Sequence, residues 1–330
     1  MILAGDIGGT HARLAIFESE NGSVRLVSEQ VFPSRQYKEF DEIALQFLKQ
    51  SSVRPDVACF GIAGPVRNGQ VETSNLPWVI RQSRLAKQMR VPSTFLINDL
   101  EATAWGIGGL SPSALTALNR VAPAEGNQAV VAPGTGLGEA GLFWDGSRHH
   151  VFACEGGHTD FAPQGDLQIE FLRFLARRHG HVSYERILSG PGLVNVYEFL
   201  QGKKNGPSPA QSQVKNEITA QAISEASLNG ADPLAEQAMD IWVSVYGAEA
   251  GNLALKTMAV GGIFLGGGIS PKILPKLIGP KFMEAFLDKG RLRPLLEGIA
   301  VQVITNDKAG LLGAARYAAF KCNPVLAGAS

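Results

Sequence analysis

The chain has 330 residues, 30 basic and 30 acidic side chains, 45% apolar content and 38 glycines, where about 7% glycine is usual. This length and apolar share exclude a disordered chain and suggest roughly two domains. A net charge of zero excludes the broad basic surface that nucleic acid or an anionic membrane requires, so a small-molecule partner is expected.

The N-terminus MILAGDIGGT has no basic segment, and the longest uncharged apolar run, Met258 to Ile269, is 12 residues, short of the ~18 that span a bilayer. Cys59, Cys154 and Cys322 lie far apart, without a CxxC or Cys/His spacing that would suggest a disulfide framework or zinc site. A soluble, cytoplasmic protein is expected.

Two short strands, Ile2 to Ala4 and Arg13 to Phe17, are predicted to form a hairpin around Asp6-Ile7-Gly8-Gly9-Thr10. A helix is predicted at about 37–50, buried strands at Val57 to Ile62 and Ser93 to Ile97, and a helical stretch near Ala102 to Trp105. The Pro/Ser/Gly-rich zone Gly106 to Pro112 reads as a domain boundary. From Gln128 to Trp144 the opening pattern recurs as strand, Gly134-Thr135-Gly136-Leu137-Gly138, strand. A shift of 128 residues places Gly8 on Gly136 and Ala12 on Ala140, which suggests a duplicated architecture. Asp166 to Arg178 is expected to be amphipathic, with Ile169, Leu172 and Leu175 on one face, Gly180 as its stop and Ser183 capping the next turn. Gly202 to Lys215 reads as a surface loop, followed by helices at about 217–228 and 233–256 and a strand Gly262 to Leu265 that ends in Gly266-Gly267-Gly268. A last strand, Ile299 to Ile304, precedes the small-residue helix Gly310 to Phe320.

Glycine-rich turns at strand ends leave backbone N–H groups that can cradle phosphate oxygens. Three occur here, at 6–10, 134–138 and 266–268. A tight turn accounts for any one alone; together, with Asp6 beside the first to hold magnesium directly or through water and hydroxyls on Thr10 and Thr135, they suggest a phosphate site. Neither GxxxxGK[ST] nor a strand-GxGxxG-helix is present. Asn98-Asp99 follows a strand and opens a helix, where such residues either cap the helix or place a general base at the ligand-binding end of a sheet. Glu155 and His158 flank two glycines, as a plain exposed loop or as hydrogen-bonding groups for a polyhydroxylated ligand. Glu185 would sit in a helix's first turn, where the macrodipole favours an acid regardless of function.

The ordered set DIGGT, INDLEA, GTGLG, EGGHTDFAP, HVSYERILSGPGLVN, GNLAL, FLGGGISP and GLLGAA resembles the bacterial glucokinases of the hexokinase, Hsp70 and actin superfamily, from the first strand to the last helix. The resemblance implies an α/β, two-domain actin-like ATPase (ribonuclease H-like) fold with duplicated mixed-sheet domains and a central cleft, divided here as 1–109 plus 303–330 and 110–302. It implies transfer of the γ-phosphate of MgATP to the 6-hydroxyl of glucose. On this basis Asp99 is similar to the general base, and Asn98, Glu155, His158 and Glu185 to the glucose-binding set. Asp6 (with Mg2+), Gly8, Gly9 and Thr10 are similar to the first phosphate loop; Gly134, Thr135 and Gly136 to the second; and Gly266, Gly267 and Gly268 to the adenosine-side motif. Arg13 reads equally as a phosphate contact or a strand-surface charge, and Glu139 stands where such proteins often carry an apolar residue. After His158 the segment TDFAPQGD contains no cysteine, which is similar to the zinc-free branch and unlike the related repressor-and-kinase sugar group. The resemblance further implies a homodimer, with helix 233–256 and the C-terminal helix as candidates for the contact. Two alternatives remain: a kinase for mannose or an N-acetylated hexose, and a non-catalytic sugar- and ATP-sensing regulator.

Overall fold

Ile2–Ile7 (β1) and His11–Glu20 (β2) pair antiparallel around a turn at residues 8–10, setting Asp6 opposite Arg13. The computed structural model describes residues 1–20, 23–73, 76–205 and 218–322. Ser23–Pro33 (β3) adds a strand that the sequence reading misses. Almost nothing on it is buried except Phe32, so it carries no alternating pattern to read. Phe40–Gln50 (α1) starts later than predicted, after a 3-10 turn at Ser34–Gln36. Val57–Ile62 (β4) is buried at every position, as expected of a strand with parallel neighbours on both sides. A two-stranded ribbon, Gln70–Glu72 (β5) with Val79–Arg81 (β6), leads to Gln82–Met89 (α2), Ser93–Asn98 (β7) and Asp99–Ile107 (α3).

Leu115–Ala117 (β8), Gln128–Pro133 (β9), Leu137–Trp144 (β10) and His149–Cys154 (β11) follow, then Gly165–His179 (α4). On α4 Leu175 is buried and Leu172 packs against the core as predicted, but Phe171 is the other buried residue and Ile169 is exposed, so the buried face is centred nearer Phe171. Ser183 stands at the start of the 3-10 turn Tyr184–Arg186, but its side chain makes no capping hydrogen bond. Gly190–Asn205 (α5) runs into the predicted loop, the remainder of which lies outside the described residues. Ala220–Leu228 (α6), Pro233–Thr257 (α7), Gly262–Leu265 (β12), Leu274–Ile278 (α8), Pro280–Leu287 (α9), Arg293–Glu297 (α10), Val301–Ile304 (β13) and Ala309–Cys322 (α11) complete the chain. Among the described residues no helix is long and apolar enough to cross a membrane.

The chain divides into two units, one of residues 1–114, 142–153 and 306 onward, the other of 115–141 and 154–305. The first sheet has the order β3-β2-β1-β4-β7 and the second β11-β10-β9-β12-β13-β8. In both, a hairpin and its flanking strand are followed by two parallel strands, and β8 adds an antiparallel edge to the second. The 128-residue echo in sequence is therefore an echo in topology. In the first unit, α11 buries Leu311, Ala314, Ala315 and Ala318 against β1 and β4 and crosses α3 so closely that a Cβ on Gly313 would overlap the Ala102 carbonyl. In the second, α7 is buried on almost all sides by α5, α6, α9 and β9.

Candidate functional site

In the first unit, β1, β4 and β7 run parallel and deliver Asp6, Ile62 and Asn98 to the same end of the sheet. Asn98 caps α3: its Oδ1 accepts from Leu100 N at 2.8 Å and Glu101 N at 3.3 Å, and its Nδ2 donates to the Gly64 carbonyl at 3.2 Å. Asp99 is the first residue of the helix, and its Oδ1 accepts from Leu100 N at 3.0 Å. The two readings of Asn98-Asp99 thus separate onto neighbouring residues, the cap on the first and the half-exposed carboxylate on the second. Burial pushes the Asp6 carboxyl up to about 6; the neighbouring Asp99 carboxylate adds to this and the Arg13 cation opposes it. The first turn of α11 closes over Asp6, since a Cβ on Gly310 would stand 3.3 Å from Asp6 Oδ2. A helix N-terminus placed there favours an anion. Arg13 pairs within its own unit with Asp307 at 2.9 Å and Glu29 at 3.5 Å.

The turn residues divide their N–H groups. Gly8 N donates to His11 O at 2.9 Å and Gly134 N to Gly136 O at 2.8 Å, so these two close their turns rather than face a ligand. Gly9, Thr10, Thr135 and Gly136 carry no such turn-closing bond through their N–H groups. In the second unit the turn after β9 and the turn after β12 lie side by side, because those strands are parallel neighbours. Gly267, at φ +77°, packs where a Cβ would overlap the Pro133 carbonyl, while Gly268 has open space. Tyr246 on α7 anchors both turns through Val131 O at 3.1 Å and Ser270 Oγ at 3.0 Å, a role that a long apolar helix does not signal in sequence.

Glu185 departs most from its sequence reading. Rather than merely occupying a favourable first turn, its carboxylate reaches the second glycine turn. It accepts from Leu137 N at 3.0 Å, lies where a Cβ on Gly136 would overlap it, and stands 4.0 Å from His158 Nε2. The 3-10 turn Gly156–His158 lies directly on β10: a Cβ at Gly157 would overlap the Leu137 carbonyl, and one at Gly156 the Glu139 carboxylate. Close packing, against backbone at Gly157 and against the buried Glu139 side chain at Gly156, therefore favours both glycines. His158 and Glu185 are brought together; Glu155 is exposed at the head of the same turn. Among the described residues no group of three or more His, Cys, Asp or Glu side chains could hold a metal by itself. A divalent cation near Asp6 would complete its oxygen shell from phosphate and water.

The sequence matches the glucokinase family over residues 3–321. It is 40% identical over 338 residues to the glucokinase of Trichormus variabilis, covering 97% of this chain and 99% of that protein. The chain belongs to the glucokinase family. The glucokinase of Synechocystis sp. is likewise 40% identical over 346 residues, spanning 96% of this chain and 97% of that protein. Among solved structures, a glucokinase from an Antarctic psychrotroph has a TM-score of 0.83 at 31% identity, over 96% of this chain and 98% of that one. A ROK family glucokinase from Streptomyces griseus in complex with glucose and AMPPNP shares the fold, with a TM-score of 0.64 at 23% identity over 96% of this chain and 98% of that one. The fold of this glucokinase-family chain is thus the actin-like ATPase fold. Two residues that sequence reasoning passed over now stand at the site. Gly310, within the quoted GLLGAA motif, lies against Asp6, and Ser34 holds the first turn by donating to Gly8 O at 2.8 Å.

Proposed function

We infer that this chain is an ATP-dependent glucokinase that forms glucose 6-phosphate and ADP. The observation that carries the reading is the end-to-end match, at 40% identity, to relatives that are glucokinases. Asp99 takes the proton of the sugar's 6-hydroxyl as that oxygen forms its bond to the γ-phosphorus; the bond from γ-phosphorus to the bridging oxygen breaks and ADP leaves. A positioned carboxylate base contributes about 10²- to 10⁴-fold, and the remainder comes from orientation and charge stabilisation by backbone N–H groups. Glu155, His158 and Glu185 hydrogen-bond the other sugar hydroxyls, with Asn98 contributing through its amide alongside its capping bonds. Gly9, Thr10, Thr135 and Gly136 supply phosphate-facing N–H groups in turns held by Gly8 and Gly134, and Gly266, Gly267 and Gly268 line the adenosine side.

Asp6 fits a magnesium ion arriving with ATP. Its carboxyl is half-buried and crowded by Asp99, so a cation would relieve a repulsion that Arg13, engaged with Asp307, only partly offsets. Magnesium there would neutralise charge on the phosphates. Exposed and unpaired Cys154 and Cys322, with buried Cys59, suit the reducing cytoplasm. The homodimer implied by the resemblance, with α7 and α11 as candidates for the contact, is tested by sedimentation velocity. The deciding experiment for the reaction is ADP release with glucose, ATP and magnesium across a hexose panel. Turnover on glucose above mannose and N-acetylglucosamine is expected. Turnover only on another hexose, or sugar binding without product, would replace this reading.

A further inference from the structure

Glu139 and Glu249 form a buried carboxyl pair that the phosphoryl-transfer reading does not use. Glu139, on β10, is 2% exposed, and its Oε1 has no hydrogen-bond partner among the described residues. Its Oε2 lies against Gly156, so closely that a side chain there would collide with it. Glu249, on α7, is fully buried, and its charge acts on Glu139. It accepts from Asn252 Nδ2 at 2.9 Å and from Lys256 Nζ at 3.1 Å. Asn252 Nδ2 in addition donates to the Tyr184 hydroxyl at 2.9 Å. Tyr184 directly precedes Glu185, and Gly156 lies between Glu155 and His158, so one carboxyl pair sits beneath all three second-unit residues assigned to the sugar.

Two neighbouring carboxyl groups resist ionising together in a dry environment, and Lys256, the ammonium paired with Glu249, is half-exposed. The titratable groups facing the pair are Lys256 and Tyr246 on α7, Tyr184 beside Glu185, the Cys154 thiol on β11, and Lys289, which faces Glu249. We propose that Glu139 is a positioning residue for glucose: sharing one proton with Glu249, it seats the Glu155–His158 turn on β10. Burial, with the Glu249 charge adding to it, holds the Glu139 carboxyl up to about 8, so the proton is retained at neutral pH. Loss of that proton sets two charges against each other and drives Glu139 into Gly156, displacing the turn.

This proposal rests on the glucokinase reading. Its test is the pH dependence of glucose KM and kcat between pH 6.5 and 9.5 for the full chain and for Glu139→Gln, which keeps the shape of the side chain and removes its titratable proton. Expected is a glucose KM in the original chain that rises at least fivefold above pH 8 with kcat changed less than twofold. Glu139→Gln should keep the pH 7 KM and lose the alkaline rise. The same rise in Glu139→Gln, or a flat profile in the original chain, overturns the proposal. Should Glu139→Gln fail to fold, calorimetry of glucose binding to the original chain in buffers of different ionisation enthalpy decides instead. Proton uptake on binding near pH 8.5 supports the pair's role, and its absence overturns it. A chain that neither binds nor phosphorylates glucose at pH 7 overturns the glucokinase reading itself, whereas one that does so with a pH-flat KM overturns only this proposal.

Discussion

The two sheets repeat one strand order but place different side chains beside the hairpin turn. In the first, the strand before the turn carries Asp6 next to its last residue, a carboxylate crowded by Asp99 and capped by the first turn of α11. In the second, the equivalent strand ends in Pro133, and the carboxylate comes from Glu185, which is distant in sequence and bonds the N–H of Leu137. Glu139, the acid on β10 itself, is buried against Gly156. One backbone plan thus holds a different set of acids in each copy, and the roles proposed for them, phosphate and proton transfer in the first and sugar binding in the second, divide along the same line.

That division can be broken from either side. The largest effect is expected at Asp99 in the first unit: Asp99→Asn should lower kcat by roughly 10²- to 10⁴-fold while glucose KM stays within a few-fold, and near-normal turnover would remove Asp99 as the base. In the second unit, Glu185→Ala removes a charged acceptor from both Leu137 N and the vicinity of His158. Glucose KM should rise about 10- to 100-fold, since charge-assisted bonds are worth about 1.5–3 kcal/mol; an unchanged KM would return Glu185 to a purely local role. Gly156→Ala forces a methyl group into the Glu139 carboxylate and should destabilise the chain by about 1–3 kcal/mol in urea unfolding. Gly268→Ala, which meets open space, serves as the near-silent control.

The pH dependence of stability sharpens the contrast further. A carboxyl held up to about 8 in the folded chain binds its proton more tightly there than when unfolded. Its contribution is fully present below the ordinary carboxyl range and is lost as pH rises through about 8. Glu139→Gln should therefore flatten the fall in stability between pH 5 and 8 by something on the order of 1–3 kcal/mol, measured by urea unfolding at each pH; an unchanged slope would place the titration elsewhere. The smallest effect belongs to Arg13→Ala, which breaks a largely solvent-exposed pair with Asp307 and should change stability by only about 0–1 kcal/mol, with ATP KM nearly unchanged. A tenfold loss of ATP affinity would instead assign Arg13 to phosphate.

Legibility followed burial. β4 and β12 are buried at every position and are recovered almost residue for residue from their apolar runs. The edge strands β3 and β11 occupy equivalent places in the two sheets and are both missed, because strands with little buried surface carry neither an apolar run nor an alternation. On α4 the apolar spacing is real, but the buried face is chosen by what packs on it: the Phe171 ring packs at a tilt against Phe199 of α5, and Ile169 faces out. The glycine turns and Asp99 stand out in sequence because backbone conformation and residue type are local properties. The partners of those turns do not, because Ser34, Tyr246 and Gly310 reach them only through tertiary packing.

By itself the sequence determined the α/β class, the duplicated hairpins, the family resemblance and the residues proposed for phosphoryl transfer, since apolar periodicity, glycine turns and motif order are written along the chain. Only the tertiary structure decided that Asn98 caps while Asp99 opens the helix, that Arg13 pairs with Asp307, and that Glu185 serves the second turn. It also decided that Glu139 shares a buried environment with Glu249, 110 positions away, because the protonation of a buried acid depends on which charges fold against it rather than on its neighbours in sequence.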